Sequence, residues 1–111
     1  MPILLETHMA RSSEQAFTDL ANFFGLLSDP TRLRIMLLLA KEASNVTDLC
    51  DELHLKQPTV SYHLGLLRMN RLLKATRKGK QVIYSLESHA KASAGKLKVS
   101  LPPFSVTLEG H

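Results

Sequence analysis

KQPTVSYHLGLLR, residues 56–68, sets Gln57, Thr59, Ser61, Tyr62 and His63 among leucines at helical spacing. Winding the stretch at about 100° per residue gathers Val60, Leu64 and Leu67 within about 60° of one another. Those three form the inner face. Pro58, Ser61, Tyr62 and Gly65 fall opposite, with Gln57 and Thr59 at the exposed first turn, and His63 projects nearer the core boundary. A DNA-recognition helix needs this division, because its N-terminal residues reach base edges while its leucines hold it to the domain.

The flanking segments supply the rest of such a domain. Residues 1–11 read as a loosely held arm, and Ser12 or Ser13 caps a helix on which Phe17, Leu20, Ala21, Phe24 and Leu27 recur at helical spacing. Asp29 followed by Pro30 starts a second helix near 30–42 whose IMLLLA run is apolar nearly all round, which marks it as the central one. Asn45, with Asp48 three residues on, caps a short third helix with Val46, Leu49, Cys50 and Leu53 inward. A tight turn at 54–56 leads to the fourth helix, over 57–69, with Asn70 as its left-handed cap.

LLKAT and QVIYSL then alternate with period two around RKGK, the signature of a β-hairpin. The expected fold is therefore mainly α with a small β-hairpin: a winged helix-turn-helix of order α-α-α-α-β-β over residues 12–88. For the tail, 89–111, ESHAKASA reads as a short helix and KLKVSL and FSVTLE as strands, so dimerisation or partial disorder are both open.

Charge points to a polyanion. The net charge is +4 and the pI about 9.5, but distribution says more. Between Leu53 and Leu86 there is no Asp or Glu, while Lys56, Arg68, Arg71, Lys74, Arg77, Lys78 and Lys80 all fall there. On this reading Gln57 pairs with adenine, Ser61 and Tyr62 donate to bases or phosphates, and Lys78 and Lys80 meet phosphates at the wing tip. Lys56, Pro58, Thr59, Arg68 and Arg77 complete the DNA-binding set.

Other classes fit poorly. The five histidines have no acidic or thiol partner at a catalytic spacing, and Gly-rich phosphate loops and H-E-x-x-H or C-x-x-C motifs are absent, so neither enzyme chemistry nor a cofactor is expected. The single Cys50 fits a reducing cytoplasm. The N-terminal residues lack a secretory pattern, and no apolar run is long enough for a membrane span.

LSDPTRLRIMLLL, VTDLCDEL, QPTVSYHLGLLR and RKGKQVIYSL, in that succession, resemble the ArsR/SmtB family of bacterial transcriptional repressors over residues 14–87. The resemblance implies a homodimer that binds an imperfect inverted repeat and is released by an effector, often a metal ion. It places base reading on Gln57, Pro58, Ser61 and Tyr62, and backbone contacts on Arg77, Lys78 and Lys80. Pro58 and Tyr62 stand where Ser and His are more usual, and Lys56 replaces a capping Ser, so the operator read should differ.

The sensing side departs from the family. Asn45 and Thr47 occupy the positions of the Cys-Val-Cys thiolates, and Glu87 and His89 are the only candidate ligands where the zinc and nickel sensors carry four. No standard metal site is expected. Cys50 and His89 remain weak candidates for a nonstandard one, with His54 and His8, in a metal- or thiol-responsive variant of the same scaffold. A winged helix that binds only protein is the third reading. Phe17, Leu20 and Phe24 are expected at the dimer interface.

Overall fold

The computed structural model describes residues 2–110, with side chains from Ser13 onward. Four helices come first: α1 (Pro2–Leu26), α2 (Pro30–Lys41), α3 (Val46–Leu53) and α4 (Gln57–Met69). Strands β1 (Leu73–Lys78) and β2 (Gln81–Leu86) form the wing. Three more strands, β3 (Ala90–Ser93), β4 (Lys96–Leu101) and β5 (Phe104–Glu109), make a separate antiparallel sheet in that order. The winged helix-turn-helix of the sequence reading is present, with a β-meander attached.

The two central helices start where local chemistry directs. The Asp29 carboxylate accepts from the backbone N–H groups of Thr31 and Arg32 at 2.8 and 3.1 Å, with Pro30 in the first turn. Asn45 Oδ1 accepts from the Asp48 N–H at 2.8 Å. His54 closes α3 in the left-handed region, φ 55°. Ile35, Met36, Leu39, Leu49, Val60, Leu64 and Leu67 interlock into one core. Leu37 stays exposed, so α2 is central without being buried on every side.

Four expectations need correction. The first helix starts at Pro2 rather than at Ser12 or Ser13, so the residues read as an arm lie in its first turns. It buries Ala16, Phe23 and Leu27, turning Phe17, Ala21 and Phe24 outward. Arg71, φ 61°, takes the left-handed position after α4, while Asn70 keeps a negative φ and its Nδ2 donates to the Leu66 carbonyl at 2.8 Å. The ESHAKASA stretch is not helical: it turns at Ser88 and His89 and then forms β3 itself.

The wing is tighter than RKGK suggests. Arg77 and Lys78 belong to β1, the register closes at Lys78 against Gln81, and Gly79 turns the chain at φ 63°. A short bridge fastens the loop before α3 to this hairpin, with Ser44 and Tyr84 exchanging backbone bonds of 2.8 and 3.0 Å. In the meander Ala94 and Gly95, both at positive φ, form the β3–β4 turn. Its inner face sends Ala90, Leu97 and Val99 into the helical core, so the tail completes the domain.

Candidate nucleic-acid interface

Helix α4 is held from behind at two levels. Val60, Leu64 and Leu67 lie in the core with essentially no exposed surface. Beside them His63 is buried, and its Nδ1 lies 3.2 Å from Arg32 Nη1 on α2. A guanidinium can only donate, so Nδ1 must accept and the ring proton is assigned to Nε2. Arg32 is itself fixed, since its Nε donates to the Leu26 carbonyl at 2.6 Å. One side chain thereby ties the end of α1 and the start of α2 to α4. His63 is a scaffold residue, as its angular position suggested; its partner Arg32 carried no local signal, being 31 residues away.

The same corner shapes Asp29. The Arg32 backbone N–H, helped by that of Thr31 and by the nearby Arg32 guanidinium, holds its carboxyl below the ordinary carboxylate range, against a smaller opposing effect of burial. A lowered folded-state value means that the stabilisation is present above the unfolded value, near pH 4, and fades as pH falls through the folded one. Urea unfolding from pH 7 to pH 3 should show stability dropping below about pH 4, with a shallower drop in D29N.

Opposite this scaffold, Lys56, Gln57, Pro58, Thr59, Ser61, Tyr62 and Arg68 are all exposed, Tyr62 by 62%. Lys56 sits at the N-cap position without a side-chain cap bond. The positive end of the α4 backbone dipole therefore joins its ammonium at the outer face, a setting that favours phosphate. Arg77, Lys78 and Lys80 are exposed on the wing, with Arg71 and Lys74 exposed nearer its base. The residues expected to touch DNA thus occupy outer surfaces of α4 and the wing.

Gly65 stands in the middle of α4, where a Cβ would meet nothing within 4 Å. No packing inside the chain requires it. Substituting Ala should raise unfolding free energy by about 1 kcal/mol. If DNA approaches the backbone there, the more stable G65A protein binds it more weakly, and paired denaturation and DNA titrations read both signs.

The weak metal candidates do not converge. Cys50 packs half-buried against the core, His54 is exposed at the end of α3, and His89 lies half-buried between β2 and β3. Among the described residues no three His, Cys, Asp or Glu side chains gather to hold a metal. The His8 side chain and His111 lie outside the described residues. Phe17 and Phe24 are 60% and 53% exposed, and Leu20, at the edge of the same face of α1, is half-buried.

Residues 29–75 match the family model for bacterial regulatory proteins of the arsR family. A biofilm growth-associated repressor of Xylella fastidiosa is 34% identical over 87 residues, covering 78% of this chain and 75% of that protein. The chain belongs to the arsR family. The arsenical resistance operon repressor of Escherichia coli is 45% identical over 75 residues, covering 67% of this chain and 64% of that one. The chain spans between 50% and 64% of the first three curated relatives that it matches. A homodimeric winged helix-turn-helix DNA-binding domain from Mycobacterium bovis superposes with a TM-score of 0.58 at 26% identity, covering 63% of this chain and 65% of that one. The family model ends at residue 75, so the β-meander falls outside the shared segment.

Proposed function

We propose that this arsR-family chain is a homodimeric transcriptional repressor that binds an inverted-repeat operator through α4 and the wing and acts in the bacterial cytoplasm. The observation that carries the reading is the polar outer face of α4, held rigidly from behind and continued by exposed basic residues of the acid-free stretch between Leu53 and Leu86. Gln57 and Ser61 read base edges, Tyr62 and Pro58 shift the preferred sequence, and Lys56, Thr59, Arg68, Arg77, Lys78 and Lys80 fix the register on phosphates.

The second copy docks on α1. Phe17, Ala21 and Phe24 form an outward apolar stripe at i, i+4 and i+7, and Phe104 of β5 extends it, its ring centroid 5.3 Å from that of Phe17. The Mycobacterium bovis neighbour is described as a homodimer, which supports the pairing. Metals or oxidants do not switch this protein, on the reading that Cys50 is a packing residue and His89 part of the β2–β3 corner.

Selection of bound sequences from random duplex DNA tests the function. Enrichment of an inverted repeat, unaltered by zinc, nickel, cadmium, arsenite or peroxide, is the expected result. Enrichment that such an agent abolishes would favour a sensor, and no enrichment a protein-binding winged helix. No helix among the described residues is long and apolar enough to cross a membrane.

A further inference from the structure

The outer face of the β-meander breaks a rule of sheet construction. Lys91 of β3 and Lys98 of β4 are direct cross-strand partners. The Ser100 N–H donates to the His89 carbonyl at 2.9 Å, so the alternation of the ladder makes Lys91 and Lys98 a hydrogen-bonded pair, with Cα atoms about 5.5 Å apart. Like charges set directly opposite destabilise a sheet. Both residues project outward, since Ala90, Leu97 and Val99 fill the inner face. Among the described residues neither lysine is in an ion pair: the one found joins Lys96 to Glu109, at 3.6 Å.

The two lysines border an open cleft of about 500 Å³ whose lining is completed by Ser88, His89 and Ser100. Two ammonium groups, two hydroxyls and an imidazole make a donor-rich recess without an acidic residue in its lining. One carboxylate would neutralise only half of that charge, whereas a phosphoryl dianion matches both lysines and offers further oxygens to the hydroxyls. We propose that this cleft binds the phosphoryl group of a small anionic ligand.

The cleft lies away from the DNA-reading turn. His89 and Ser100 also line the recess that contains Asn70, at the C-terminal end of α4. That end is about 20 Å from Gln57 along the helix axis. Lys91 and Lys98 lie on the β-meander, outside α4 and the wing that carry the proposed DNA contacts.

Thermal unfolding of the full chain with pyrophosphate as the probe tests the proposal, against potassium chloride at matched ionic strength. Pyrophosphate should raise the melting temperature of the wild type and of K96T, whose lost charge lies outside the cleft, and leave the K91T/K98T double variant unmoved. Without pyrophosphate the double variant should melt above the wild type, because the opposed charges are gone. Three results would overturn the site: no response of the wild type, an equal response of the double variant, or an equal response to chloride. A loss of operator affinity in K91T/K98T as large as that of a wing variant would also overturn it, by assigning the pair to DNA.

Discussion

F24D should sediment as a monomer at concentrations where the wild type is a dimer, and its operator affinity should fall by on the order of 10²-fold or more. Phe24 is half exposed on α1 while Phe23 beside it is buried, so the substitution places a carboxylate on the surface and leaves the core intact. Its circular dichroism and its binding to an isolated half-site should match those of the wild type. The loss arises because a dimer delivers its second recognition helix at high effective concentration once the first has bound. An F24D protein that stays dimeric would move the interface elsewhere, and the exposed edges of the meander would be the next surface to probe.

K78E/K80E should bind every duplex more weakly, operator and random sequence alike, by on the order of tenfold for each lysine at moderate salt. Lys78 ends β1 and Lys80 follows Gly79 in the turn, so neither side chain contributes to the core. Phosphate contacts release counterions, and the slope of log affinity against log salt should become shallower by about two. The ratio of operator to random binding should stay nearly constant, because wing contacts position the protein without reading sequence. A collapse of that ratio would mean that the wing reads bases.

The parts legible in the sequence were those governed by local rules. Asp29-Pro30, Asn45 with Asp48, and Gly79 act within a few residues of themselves, and the helix starts and wing turn followed. The division of α4 into inner and outer faces followed from periodicity alone. On α1, Phe17, Phe23 and Phe24 offer two apolar faces, and only packing into the core beside β4 selects the one carrying Phe23 and Leu27. Arg32 and His63 lie on different helices, so their hydrogen bond had no signature along the chain.

Strand β3 was the hardest segment to read. Its Ala-Lys-Ala-Ser residues have little strand preference, and they are extended because β4 offers a paired edge with Leu97 and Val99 already facing the core. Arg71 took the left-handed site in place of Asn70 because Asn70 uses its side chain to cap the Leu66 carbonyl. The exposure of the proposed DNA-contacting residues was legible because charge and helical position both placed them on the outer surface. The lysine pair across β3 and β4 was not, since their opposition depends on register.

The central claim is that the outer face of α4 reads bases, and Q57A tests it most directly. Operators selected from random duplexes by the wild type and by Q57A should share the same inverted repeat, with preference relaxed at one base pair in each half-site by about 1–3 kcal/mol. Identical selected sequences would contradict the claim, because they would show that Gln57, at the exposed first turn of the helix, takes no part in the reading.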